Sequence, residues 1–383
     1  MDQVQAVENY RKLQNYFVET LKFFNLDYFN RSKRFRLRNL FFIIVLMISY
    51  YFNIDNVIKT FSDKIKMVWT YNLCWFIVHF MVLAKTFTFV YNKRQYLALL
   101  EEIGELYSAK YSNLVLMVQQ NNLKANFRLT IAGLVAYATS LFVGEFVALS
   151  YYINIPGVCY PVLYHLPLYP DRPLLHYTLN MIIQFIIYFI VISILCFGDH
   201  FVIFFGLHFR CELKTISELT QIYLNDSTVV ATEKYLLKEI YKKHLKVLKM
   251  LKILDDIYRI FSFNQILSSF ICLCFVFYGS LVQDSFEWTF YFFIVLTAAE
   301  LFIYCLFGET LVANTEQIGT SIYLTKWYEM SVEDQRNLLF IMRIAQKPRG
   351  IKAAGLIHVN FTTFVEILKG AASYCLILYS LTT

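Results

Sequence analysis

Seven stretches of this 383-residue sequence are apolar for long enough to cross a bilayer. They are Leu37–Ile54, Met67–Tyr91, Leu129–Ile153, Tyr177–Phe209, Ile260–Val282, Trp288–Leu311 and Gly355–Leu381. An α-helix rises about 1.5 Å per residue, so roughly 20 residues span the hydrocarbon layer. A closed barrel is the other way to satisfy backbone hydrogen bonds in lipid, but it needs short alternating strands broken by turns. With only 12 glycines and 6 prolines the chain reads as long helices instead. The expected fold class is therefore an all-α membrane protein with seven transmembrane helices. Composition agrees: 16% of residues are charged, where a soluble domain carries about 25%.

Orientation follows from lysine and arginine. Assigning alternate loops to alternate sides puts 29 of the 35 on the side of the N-terminus and 4 on the other, with Lys85 and Lys369 inside blocks. The richer side is cytoplasmic by the positive-inside rule. The N-terminus is then cytoplasmic and the C-terminus extracellular. The net charge of +7 is accounted for by topology and acidic headgroups, with no call for nucleic acid. Met1–Asn30 holds no continuous apolar core, so no signal peptide is expected. Only Cys159 is expected to face outside, which leaves no outer disulfide to draw. The sequons at Asn30, Asn225 and Asn360 fall on or near the inner side, where glycosylation is not expected.

The inner segments are long. Residues 231–257 read as a helix whose Leu237, Ile240, His244, Val247, Leu251 and Leu254 form one seam. Lys238, Lys242, Lys246 and Lys249 lie on another face, which suits a helix solvated on one side and packed on the other. A second inner helix starts at Ser331, with Asp334 in capping-box position, and stops at Lys347-Pro348-Arg349-Gly350. Together they form a cytoplasmic helical anchor.

No metalloprotease, serine-hydrolase, phosphate-loop or dinucleotide signature occurs, so an enzyme, a metal and a cofactor are not expected. Asp199 beside His200 reads as a structural hydrogen-bonding group rather than an acid–base pair. His79, Lys85, Glu145, Glu300, Glu366 and Lys369 lie inside blocks and are costly in lipid, so they are expected to face the interior or a water path. On the last helix Glu366, Gly370, Ser373, Ile377 and Ser380 step by four and three and share one stripe. Such a stripe suits a pore lining with an apolar gate; tight packing of small residues between helices is the other reading.

At this point a set of motifs resembles the seven-helix insect odorant receptors. His165-Leu-Pro-Leu-Tyr-Pro170 with Gln184 is similar to the family's Pro-rich outer loop and following helix. Tyr304-Cys305-Leu-Phe-Gly308 resembles its Tyr-Cys-x-x-Gly element. Tyr323-x-x-x-Trp327-Tyr328 and Ala345-Gln346-Lys347-Pro348 resemble its late cytoplasmic signature, and Phe364-x-x-x-Leu368-Lys369 with Ser373-Tyr374 its last helix. The resemblance implies an odorant-gated, non-selective cation channel in the plasma membrane of olfactory neuron dendrites, a heterotetramer with the odorant receptor co-receptor. The modest loop at 210–259 fits a tuning subunit rather than the co-receptor. The alternatives are a gustatory-type ligand-gated channel, whose terminal Gln-Phe pattern is replaced here by Ser380-Leu381, and a G-protein-coupled receptor, which needs the opposite orientation.

The organisation expected is a cytoplasmic segment 1–36, helices one to six over 37–311, an anchor region 312–354 and a pore-lining seventh helix 355–383. Depth, helical spacing and the family's pocket location together place a small volatile ligand in the outer half. The lining set expected is Phe76, His79, Phe80, Thr139, Phe142, Glu145, Met181, Phe185, Phe275 and Tyr278. Ile377 matches the family's apolar gate when Ser373-Tyr374 is aligned to its Thr/Ser-Tyr pair.

Overall fold

The structure, a computed structural model, describes residues 3–23, 44–55, 57–58, 66–108, 111–153, 173–225, 235–282, 288–324 and 326–382. The expectations for the outer loop 154–172, including Cys159 and the Pro-rich motif, lie outside these residues, as does Asn30.

Nearly everything described is helix: α1 Gln3–Phe23, α2 Ile44–Asp55, α3 Lys66–Ser108, α4 Asn113–Ile153, α5 Pro173–Asn225, α6 Leu236–Val282, α7 Trp288–Tyr323, α8 Val332–Ala345 and α9 Phe361–Thr382. A hairpin of two-residue strands, β1 Lys352–Ala353 and β2 Ile357–His358, is the small β addition to the expected all-α fold. Proline placement explains the lengths. Five of the six prolines lie between Pro156 and Pro173, and the sixth, Pro348, follows α8. Pro173 opens α5, where its missing N–H costs nothing.

Among the described residues five helices are long and apolar enough to cross a membrane: α3, α5, α6, α7 and α9. The first apolar block contains the shorter α2, and the third lies in α4. The five helices α3 to α7 outrun their blocks. The expected loop helix and the fifth block are one helix, α6, because no glycine or proline interrupts Leu236–Tyr278. Conversely, the last block starts too early: Gly355 sits in the hairpin turn at φ 77°, and α9 begins only at Phe361. There Asn360 Oδ1 accepts from Thr363 N at 2.9 Å as an N-cap, which gives the Asn360 sequon a structural role.

Two helices organise the bundle. α6 packs against α3 and α9, and α5 against α4 and α7. Their common core is aromatic, with Phe89, Tyr96, Phe201, Phe205, Tyr258 and Phe261 all buried and ring-to-ring. The end where α3 finishes and α6 begins, here the anchor end, is held as the seam predicts: Leu237, Ile240, His244, Val247, Leu251 and Leu254 are all buried. Burying each aliphatic seam residue stabilises by about 1.5–3 kcal/mol relative to water. On the lysine face, Lys246 and Lys249 pair with Glu105 and Glu102 of α3 at 2.9 and 3.0 Å. α8 starts at Ser331, whose Oγ accepts from Asp334 N at 3.2 Å while donating to the Asp334 carboxylate at 2.7 Å.

Candidate functional site

Among the described residues a charge cluster lies inside the bundle, near the middle of α3, α5 and α7. Lys85 of α3 places its ammonium 2.7 Å from Asp199 Oδ1 of α5 and 2.6 Å from Glu300 Oε1 of α7. The hydroxyls of Tyr137 on α4 and Tyr304 on α7 both donate to Asp199. The ammonium also lies 5.6 Å from the Tyr304 ring and 5.8 Å from Phe261 of α6. Lys85 joins α3, α5, α6 and α7 directly, and Asp199 adds α4 through Tyr137. Two carboxylates are offset by one ammonium and two phenol donors, the kind of satisfaction a buried ion pair requires. His200 turns away from Asp199 and bonds the Leu134 carbonyl at 3.2 Å.

His79 lies six residues towards the other end of α3, about 9 Å along the axis. It is buried, with Nδ1 2.9 Å from the Trp75 carbonyl and Nε2 2.9 Å from Ser49 Oγ of α2. A carbonyl only accepts, so Nδ1 carries a proton, and in the neutral ring Nε2 accepts from Ser49. Around it Trp75 meets Phe293 of α7 edge-on at 5.3 Å, and Phe76 stacks on Tyr50 at 5.2 Å. Of the other expected lining residues, Tyr278 is buried and Phe275 half-buried on α6. Phe80, Thr139, Phe142 and Phe185 are exposed; Phe142 meets Phe189 at 5.7 Å, and Thr139 donates back to the Val135 carbonyl. The side chains of Glu145 and Met181 are outside the described set.

The path from the charge cluster to α9 is short. One turn beyond Tyr304, Gly308 lies so close to the segment before α9 that a Cβ on it would stand 1.9 Å from the Val359 carbonyl oxygen. The next residue, Glu309, accepts from Phe361 N at 3.4 Å, bringing negative charge to the helix N-terminus. Phe302 stacks on Phe361 at 5.6 Å and meets Phe364 edge-on at 5.5 Å. The hairpin ties the same segment to α6, with Ala354 N donating to the Arg259 carbonyl and Lys352 N to Asp255.

α9 buries Ile367, Ala371 and Cys375. Of the expected pore stripe, Glu366, Ser373, Ile377 and Ser380 are exposed on the side away from them, with Gly370 half-buried against Phe270. Ser373 and Ser380 donate to the Lys369 and Ile377 carbonyls. Among the described residues no ion pair joins Glu366 to Lys369 or Lys352.

A second buried pair joins α5 and α6 outside the residues expected to matter. Lys243 of α6 lies 2.8 Å from Glu212 of α5, which also accepts from Gln119 of α4 at 3.1 Å. Tyr111, in the link between α3 and α4, faces the Lys243 ammonium at 4.9 Å. Burial, then the carboxylates of Glu212 and Glu239, push its hydroxyl up to about 12. Lys243 lies three residues after Ile240 and four before Val247, on the buried face of α6, and this spacing is the signal that sets it apart from Lys242, Lys246 and Lys249.

The family model described as "7tm Odorant receptor" matches residues 68–372. The chain is 24% identical to odorant receptor 56a of Drosophila melanogaster over 173 residues, 42% of this chain and 41% of that protein. It is 31% identical to Drosophila odorant receptor 9a over 141 residues, 36% and 35% of the two chains. A shorter match, 25% over 89 residues, covers 23% of this chain and 19% of the odorant receptor coreceptor of Harpegnathos saltator. These matches span well under half of the relatives' own lengths. The fold is shared end to end with the insect olfactory receptor OR5 of Machilis hrabei solved in complex with eugenol: TM-score 0.75 at 15% identity, covering 97% of this chain and 100% of that one. With its long apolar helices the chain is a multi-pass membrane protein, and it belongs to the seven-transmembrane odorant receptor family.

Proposed function

We propose that the chain is an odorant-tuning subunit of a ligand-gated, non-selective cation channel in the plasma membrane of olfactory neuron dendrites, assembled as a heterotetramer with the odorant receptor co-receptor. The N-terminus and the anchor end are cytoplasmic and the C-terminus is outside, as the lysine and arginine bias supports. The observation that carries the assembly is α9. Only 17% of its most apolar stretch is buried within the chain, against 39 to 56% in the other four spans. A helix with a polar-and-small stripe left uncovered by its own chain suits an axis shared with other subunits. Odorant recognition is assigned to the outer half, around His79, Trp75 and Phe76. The eugenol bound by the solved receptor makes small aromatic volatiles the first probes.

The experiment is current recording from cells expressing the chain alone and with a co-receptor, against a broad odorant panel. Odorant-evoked cation current only in the pair is expected. Robust current from the chain alone would overturn the need for a partner, and silence of a surface-delivered pair would overturn the tuning role. A C-terminal tag stained only after permeabilisation would overturn the topology.

A further inference from the structure

At the anchor end, where α1 lies across α4 and α5, the chain forms a half-open cavity of about 330 Å³. That is the lower end of the size of small-molecule sites. One wall is apolar, made by Leu13 of α1, Leu123 and Phe127 of α4, and Phe204 of α5. The rim carries Lys124 and Arg128, one turn apart on α4 and both exposed. None of the described lining residues is a carboxylate. Of the buried polar groups of the wall, Asn126 Nδ2 donates to the Leu207 carbonyl, Thr130 Oγ1 donates to the Asn126 carbonyl, and the Tyr107 hydroxyl pairs with His208 Nδ1 at 2.7 Å. The charge offered to an occupant is therefore positive and confined to the rim.

Depth selects the occupant. The third apolar block begins at Leu129, the residue after Arg128, so the rim stands where hydrocarbon gives way to headgroups. A basic pocket between helices at that level suits an anionic lipid headgroup. A soluble anion would have no use for the apolar wall. We propose that this cavity binds an anionic membrane phospholipid, its phosphate on Arg128 and Lys124 and the start of an acyl chain against Leu123, Phe127 and Phe204. Because Leu13 forms part of the wall, the bound lipid holds α1 to α4 and α5.

The test uses the full chain reconstituted in nanodiscs of phosphatidylcholine, with or without phosphatidic acid, and lipid retention read by native mass spectrometry. Phosphatidic acid is expected to be retained and to raise the thermal midpoint. Each cation removed weakens binding about fivefold, so the double variant Lys124→Gln/Arg128→Gln loses about thirtyfold. Arg128→Lys keeps most of the binding. The control Arg336→Gln/Lys347→Gln, on exposed residues of and just after α8, leaves it unchanged. Both rim positions are exposed, and size exclusion confirms that the variants fold. Equal retention by the double variant, or by phosphatidylcholine alone, overturns the proposal. Displacement of the lipid by inorganic phosphate overturns it in favour of a soluble phosphate ligand.

Discussion

Lys85 and Asp199, 114 residues apart in sequence, meet at 2.7 Å with 4% and 1% of their side chains exposed. Glu300 completes the contact from a third helix. Removing the lysine leaves two buried carboxylates without a counter-charge, a loss of about 3–5 kcal/mol. Lys85→Met is therefore expected to lower the thermal midpoint sharply in detergent and to reduce surface delivery. Adding Asp199→Asn and Glu300→Gln to Lys85→Met removes both orphaned charges and should recover most of the loss. A Lys85→Met protein within about 0.5 kcal/mol of wild type, the range of an ordinary surface change, would mean the cluster contributes nothing to stability.

Gly308 and Gly319 lie on the same helix and should respond oppositely to alanine. Helix propensity favours alanine over glycine by about 0.5–1 kcal/mol. At Gly319 a Cβ has its closest neighbour at 3.5 Å, so Gly319→Ala is expected to be neutral or mildly stabilising. At Gly308 it would strike the Val359 carbonyl, backbone that cannot swing aside, and push the start of α9 off α7. Thermal unfolding of the two variants separates the cases: Gly308→Ala no less stable than Gly319→Ala would show that the approach has slack.

The anchor seam was legible because it is local. Six residues at helical spacing inside 18 positions define a face, and all six are buried. Lys85 and Glu300 were legible as costs, since a charge in an apolar block needs a reason. Their pairing with each other and with Asp199 was not, because nothing in one sequence pairs positions 215 or 114 residues apart. The adjacent Asp199 and His200 show why proximity along a helix misleads: consecutive residues point about 100° apart, so one faces Lys85 and the other the Leu134 carbonyl. Block boundaries failed at Gly355 because hydropathy does not register a hairpin of Ala, Gly, Leu and Ile before the Asn360 cap.

The outer-half ligand site is tested by alanine at Phe76, Phe142, Met181 and Phe185 in the co-expressed pair. The expected result is a shift in odorant sensitivity with surface expression held. Losing an aromatic contact is worth about 1–3 kcal/mol, or about fivefold to a hundredfold in effective concentration. Phe76, stacked on Tyr50, is expected to show a larger effect than the exposed Phe185. Unchanged sensitivity in all four would move the site elsewhere in the bundle.

Ile377 carries the sharpest prediction. It is exposed on α9, on the side away from Ile367, Ala371 and Cys375, with Ser373 one turn before it and Ser380 one turn after. If α9 of each subunit faces a common axis, a ring of β-branched side chains at this level narrows and dewets the closed path, and opening replaces it by the serine neighbours. Ile377→Ala and Ile377→Ser should then raise basal current or change ion permeability while leaving the rank order of odorants intact. Leu376→Ala is the control. Leu376 is also exposed, but it lies about 100° around the helix from Ile377, so the variant should do neither. Cysteine at 377 should react with thiol reagents added from outside, faster with odorant present. Wild-type basal current and permeability in surface-delivered Ile377 variants, together with an unreactive cysteine at 377 even in odorant, would make the stripe a packing seam and place the pore along another helix.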